Sequence, residues 1–287
     1  MKRFPPHARP LGAALGSLVV AGSAAFSLAA LTLTALSLAP LTLAALSLAA
    51  LPLPASAAST ATAAAAADPS MEALLARHVE WLGGRSALDG LVTLSVAGRL
   101  EASGLAGTLR AVQHRDGRQR VDYDLGVVRG AKGIGRDSAW VADGSGRVEP
   151  MGAEEERVTR RGAARTFGAH LLAGDGSTRQ DLGVEEREGR AWRVVRFAYP
   201  DGDAHDLFLD PSDGSCTWVR EHHDTGSSWS HLEDWRIVEG LRFPFRTAEL
   251  RANPAANQAV LLDSVTVNGT VDDAAFEPPR AARKLHR

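Results

Sequence analysis

From Val92 onward apolar and polar positions alternate. Leu94, Val96 and Leu100 are separated by Thr93, Ser95, Arg99 and Glu101, the period of a strand with one buried and one wet face. The same period returns after Asp116-Gly117, where Val121, Tyr123, Leu125 and Val127 alternate with Arg120, Asp122 and Asp124. It returns again after Glu239-Gly240, where Leu241, Phe243 and Phe245 alternate with Arg242, Pro244 and Arg246. Further turn signals stand at Asp143-Gly144, Glu188-Gly189, Asp201-Gly202, Asp213-Gly214 and Thr225-Gly226. This spacing predicts about nine or ten consecutive antiparallel strands, and a sheet of that width has to curl or close. Around Trp192 apolar residues fall on both faces, Trp192 and Val194 on one and Val195, Phe197 and Tyr199 on the other. One face is therefore core and the other is either ligand-facing or covered by helices.

Two segments break the strand period. Leu74, Leu75, Val79 and Leu82 recur at helical spacing, with Asp68-Pro69 suited to open the helix and Gly83-Gly84 to end it. Residues 153–172 have helical composition weakened by Gly162 and Gly168. The expected fold is mainly β (α+β): a curved antiparallel sheet forming an open or partial barrel, with a few helices against its concave face.

The first 57 residues stand apart. Lys2, Arg3 and Arg9 precede an unbroken Ala/Leu/Ser/Thr stretch, which ends at Pro54-Ala55-Ser56-Ala57, a small-residue cleavage site. This pattern predicts a secretory signal peptide over 1–57. Its unusual apolar length comes from a near-duplication of Leu-Thr-Leu-Thr-Ala-Leu-Ser-Leu-Ala. An uncleaved membrane anchor is the alternative, although Pro40 would kink it. Residues 58–67 form an Ala-rich linker, 68–280 the folded domain, and 281–287 a frayed basic tail.

Removing the leader's three basic residues leaves 29 Lys and Arg against 34 Asp and Glu, a formal charge of −5. Nucleic acid is therefore not an expected partner. The single cysteine, Cys216, can form no internal disulfide and lies far from the leader, so it is not the lipidated first residue of a lipoprotein. These features predict an exported periplasmic protein, in contact with the membrane only transiently or through an uncleaved leader.

Asp224-Thr225-Gly226-Ser227-Ser228 spells the active-site loop of aspartic proteases, which need two such loops converging on one water. Here Glu221-His222-His223 precede it in place of an apolar strand, and Asp-Thr-Gly-Ser equally makes a hairpin turn between the strands through Trp218 and Trp229. An aspartic-type hydrolase using Asp224 is thus an alternative to a simple turn. His205, His222, His223 and His231, with Asp203, Asp206 and Asp224, form a second candidate, with His222 or His223 placed across a hairpin from Ser230 or His231. Their spacing matches no strong metal signature, and neither metal nor cofactor is expected. Glu154-Glu155-Glu156 suits a helix N-terminus, where the dipole favours acidic groups. Cys216 reads as a buried structural thiol.

Three stretches resemble the LolA/LolB-type periplasmic lipoprotein-carrier superfamily: Trp81-Leu82-Gly83-Gly84-Arg85-Ser86-Ala87-Leu88, the hairpin from Asp234-Trp235-Arg236 to Gly240-Leu241-Arg242-Phe243-Pro244, and the closing Val271-Asp272-Asp273-Ala274-Ala275-Phe276-Glu277-Pro278. The arrangement is also similar to the exported domain that precedes a protease domain in some bacterial aspartyl proteases. Gly133-Ile134-Gly135-Arg136 departs from the pattern, which has an aromatic followed by Asp-Gly. The resemblance implies a half-open β-barrel whose apolar concavity, capped by helices, holds acyl chains without catalysis. Trp140, Trp192, Phe197, Trp229, Trp235 and Phe243 are the candidate lining residues, each of which also suits ordinary core. The implied partners are a lipid or acylated protein and an envelope protein. The alternative is a fully packed barrel that serves as an interaction or scaffold domain of the cell envelope.

Overall fold

The computed structural model describes residues 70–279 apart from 173, 224 and 225, together with the dipeptides Leu18–Val19 and Ala30–Leu31, which pair with each other. The rest of the leader, the Ala-rich linker and the basic tail lie outside the described residues.

Thirteen strands form one antiparallel sheet, more than the nine or ten expected. The first meander runs through β1 (Thr93–Ala102), β2 (Leu105–His114), β3 (Gln119–Asp124), β4 (Arg129–Ile134), β5 (Ala139–Asp143) and β6 (Val148–Pro150). The second runs through β7 (Thr178–Arg187), β8 (Arg190–Ala198), β9 (Ala204–Leu209), β10 (Cys216–His223), β11 (Gly226–Val238), β12 (Leu241–Leu250) and β13 (Gln258–Val267). The extra strands come from 129–150, where three short strands replace a clear alternation. β13 pairs with β1 over nine residue pairs, so the two meanders become one sheet with β6 and β7 at its edges. The sheet is curved and does not close, which makes a half-open barrel.

Three hairpins set the register by the same means. Ser103-Gly104, Glu188-Gly189 and Glu239-Gly240 each hold two consecutive residues at positive φ, between 50° and 82°. That is the turn whose twist matches flanking strands, and glycine takes its second position without steric cost.

Helix α1 (Met71–Leu82) starts later than Asp68-Pro69 suggests. Ser70 is its cap, and the serine hydroxyl accepts the Ala73 N–H at 3.2 Å. A short α2 (Arg85–Gly90) follows, unsignalled by periodicity. Leu74, Leu75, Val79 and Leu82 of α1, with Leu88 of α2, pack on the concave face against Leu94, Val96, Leu207, Val219, Leu232, Phe243 and Phe245. Each large aliphatic side chain buried this way contributes about 1.5–3 kcal/mol.

The helix end is fixed by a backbone contact. Gly83 sits at φ 129°, and a Cβ there would lie 2.3 Å from the Gly240 carbonyl oxygen. Arg242 donates to the Trp81 carbonyl at 2.5 Å, and Trp81 meets Trp235 edge-on at 4.6 Å. The Trp81-Leu82-Gly83-Gly84 and Gly240-Leu241-Arg242 motifs, with Trp81 and Arg242 161 residues apart in sequence, are thus the two halves of one joint. The third motif closes the outer face of the first meander. Trp140 Nε1–H donates to the Phe276 carbonyl at 3.0 Å, and Asp273 pairs with Arg118 at 2.5 Å and with Arg136 at 2.8 Å.

Replacing Gly83 by Ala is expected to lower stability by about 2 kcal/mol or more, from the strained φ and the collision together. Gly104→Ala, at φ 77° with open space around the new Cβ, is the control and should cost about 1 kcal/mol. Urea unfolding of the two variants measures the difference.

Candidate functional site

The chain passes from edge strand β6 to edge strand β7 through α3 (Ala153–Thr166) and α4 (Ala169–Leu172), which bridge the open side of the half-barrel. The residues α3 buries are Thr159, Gly162, Ala163, Arg165 and Thr166, small or polar rather than large and apolar. What holds it is charge. Arg157, Arg161 and Arg165 recur every four residues on one face of the helix. Arg157 and Arg161 both pair with Asp201 and Asp203 in the β8–β9 turn, and Arg165 meets Glu221 of β10 at 3.1 Å. Arg161 also lies over the Tyr199 ring at 4.0 Å. On the other side Lys132 of β4 meets Glu155 at 3.3 Å, and the Gln119 side-chain amide donates to the Thr159 carbonyl at 2.8 Å. Burial lowers the Lys132 ammonium to about 8 against the raising effect of Glu155, and burial pushes Glu221 up to about 7 against the pull of Arg165. Glu154 and Glu156 bond Arg157 and Arg160 within the helix, while Glu155 of the same triplet ties it to the sheet through Lys132.

Beneath this roof the concave face is filled. Phe167 and Leu171 meet Val195, Phe197, Leu207 and Leu209, in the same core as the α1 residues. Three histidines from three elements are wholly buried there: His78 of α1, His170 of α4 and His205 of β9. His205 stacks on Phe197 with ring centroids 5.0 Å apart, and His170 lies edge-on to both rings at 5.0 and 5.2 Å. His78 Nδ1 lies 2.7 Å from the Gly214 carbonyl oxygen, while its Nε2 and both ring nitrogens of His170 and His205 have no partner. Desolvation lowers His78 to about 4 and His170 to about 3, and holds His205 well below its ordinary value, so all three stay neutral.

The six aromatic residues expected to line a groove do not come together. Phe197 and Phe243 belong to the concave core, and Trp235 packs on Trp81 at its margin. Trp192 and Trp229 lie on the convex face with Phe208 and Trp218, where Arg187 stacks on Trp218 at 3.9 Å and on Trp229 at 3.6 Å. Trp140 also faces outward, beside Ala131 and Ala142.

The histidine and aspartate set divides in the same way. His205 is inside, whereas Asp206, His222 and Arg196 form an ion cluster on the convex face, with His222 Nε2 at 2.8 Å from Asp206. His222 pairs with Ser227 and His231 with Trp218, which corrects the expected register by several residues. Among the described residues no group of three or more His, Cys, Asp and Glu is disposed to hold a metal ion. Asp224 and Thr225 lie outside the described residues; β10 and β11 pair up to His223 and Gly226 on either side of them. Burial raises the Cys216 thiol to about 12, so it is protonated at neutral pH.

A polar end of the concave face was missed by sequence reasoning. Ser228 lies opposite Glu221, Ser230 opposite Glu249, and Glu249 opposite Gln258, and all five are buried. The Gln258 amide donates to Glu249, which also pairs with Arg251 at 2.6 Å.

No family model matches this chain, and no curated protein sequence does. Solved structures do match. A DUF1329 family protein from Desulfovibrio piger aligns over 72% of this chain and 96% of its own, with 9% identity and a TM-score of 0.51. A LolA superfamily protein from Nitrosomonas europaea aligns over 71% of this chain and 96% of its own, with 13% identity and a TM-score of 0.50. The chain has a LolA-like fold. In this LolA-like domain the position that the resemblance assigns to a ligand, the concave face, is the one roofed by α3 and α4.

Acid should loosen the core beneath the roof. The three histidines have lowered values in the folded state, so their contribution is complete above about 6.5 and is lost as pH falls from there toward 4. Glu221 acts with the opposite sign, its contribution being lost as pH rises from about 4.5 to 7. In His170→Phe the pH slope of unfolding free energy between pH 6.5 and 4.5 should shrink by about 1.4 kcal/mol per pH unit, one proton's worth. Urea titrations at several pH values measure it, and an unchanged slope would show that His170 is not neutral in the fold.

Proposed function

We propose that this protein is an exported, non-catalytic carrier that binds the acyl chains of a lipid or an acylated protein on its concave face. One observation carries the reading: an apolar concave face is roofed by a helix held through ion pairs rather than through apolar packing. Partly exposed pairs such as Arg157–Asp203 and Arg161–Asp203 are each worth about 1 kcal/mol. Releasing the Arg157 and Arg161 pairs therefore costs little; parting the buried Arg165–Glu221 pair costs about 3–5 kcal/mol, which an acyl chain offsets at about 0.8 kcal/mol for each CH₂ taken out of water. The LolA-like fold supports the same reading, and the leader over 1–57 supports export to the periplasm.

A second reading has its own support. The concave core is well packed in this structure, as it would be in an interaction or scaffold domain of the cell envelope. The two readings part on whether the roof moves.

Native mass spectrometry of the purified protein should detect a bound acyl species, and a fluorescent fatty acid should be taken up. Uptake should be about three- to tenfold faster in Arg157→Gln/Arg161→Gln, and faster for the parent in 1 M than in 0.1 M NaCl, because salt screens the latch. Absence of both a bound lipid and uptake, in parent and variant alike, favours the scaffold reading.

A further inference from the structure

The polar end of the concave face is more than a gap in the apolar lining. Glu221, Ser228, Ser230, Glu249 and Gln258 occupy interior positions of four adjacent strands, β10 to β13, and Arg165 reaches them from α3. A position on the inner face of a curved sheet ordinarily holds Val or Leu, as Val219 and Leu232 do one step further along β10 and β11. Several polar groups there are buried without a partner: the Ser228 hydroxyl, the Gln258 side-chain carbonyl and Arg165 Nε. Buried polar groups are nearly always satisfied, so unsatisfied donors and acceptors gathered at one end of the concave face point to a polar ligand.

Charge decides which kind of ligand. With both carboxyls ionised, above the value of about 7 to which burial pushes Glu221, Arg165 is matched by Glu221 and Arg251 by Glu249, so the four ionisable groups cancel in two pairs. An anionic head would face two carboxylates and a cationic head two guanidinium groups, with nothing left over to neutralise either. The free valences are one N–H, one hydroxyl that both donates and accepts, and one carbonyl that accepts. Hydroxyl and ester oxygens fit this set. The location suits a head group as well. Gln258 opens β13 opposite Ala102, the last residue of β1, beside the Ser103-Gly104 turn at the rim of the half-barrel. A chain lying along Val219, Leu232 and Phe243 would leave its polar end at this rim.

We propose that Arg165, Glu221, Ser228 and Gln258 form a head-group subsite that selects acyl ligands with an uncharged hydroxyl- or ester-bearing head, such as a glyceryl ester. The proposal rests on the acyl-binding reading and deepens it by naming the ligand class.

The test compares three C14 probes, each below its critical micelle concentration, by calorimetric titration at pH 8.5, where Glu221 is ionised: 1-monomyristoylglycerol, myristate and tetradecyltrimethylammonium. The glyceryl ester should bind about tenfold more tightly than either charged probe, the usual discrimination when a site built for hydrogen bonds loses them. In Ser228→Ala/Gln258→Leu that preference should fall to within about twofold while the charged probes bind as before. Equal affinities for the three probes in the parent protein, or a preference for a charged head, overturn the subsite and leave acyl binding standing. So does a preference that persists in the double variant. Failure of every probe to bind overturns acyl binding and the subsite with it. The ranking in the parent protein needs no variant to fold, and Ser230→Ala, in the same polar row, is the control expected to keep the preference.

Discussion

The pairing of the first strand with the last is the constraint on which the remaining architecture depends. β1 and β13 zip the two meanders into one sheet, and in doing so they decide where its edges fall. Each meander can grow only away from that seam, so the edges are β6 and β7, which are consecutive in sequence. The connection between them must cross the whole open side. A helix there is a consequence of topology, and its composition then determines how firmly the side is shut.

That composition is a compromise between covering the core and sealing it. Large apolar residues on α3 would fuse it to the sheet and finish a closed core. Small residues with an arginine every fourth position place it over the core while leaving ion pairs to hold it. The contrast with α1 is plain, since that helix drives Leu74 and Leu75 into the core and locks its end through Gly83 against Gly240. On the convex face arginines have another task. Arg187 and Arg220 lie over Trp218, Trp229 and Phe208, screening a cluster that a curved sheet would otherwise leave facing water.

Much of the fold was legible because it rests on local signals. Period-two alternation in 93–101 and 241–246 and the Glu-Gly turns at 188 and 239 each record a backbone requirement that few residue types meet. Where signals were weak, strands were miscounted: Arg129–Pro150 is too short and too rich in Gly and Ala to show alternation. The candidate site was far less legible. Trp192 and Phe197 look equally suited to line a groove, yet they point to opposite faces, and which face is concave is decided by packing across the whole sheet. The polar row at Ser228, Glu249 and Gln258 left no trace, because polar residues at alternate positions read as a solvent-facing side. A signal that could have been used was the four-residue repeat of Arg157, Arg161 and Arg165, which marks a helix face meant for acidic neighbours.

The seam between β1 and β13 also orders events in time. Strands that touch across more than 150 residues make folding slow, because the loop between them has to be closed before their contacts can repay it. While the chain is being made, the first meander has an open flank until residues 258–267 emerge. Until then the flank of the first strand carries unpaired N–H and C=O groups that only the last strand of the chain satisfies, an edge open to wrong partners for most of synthesis.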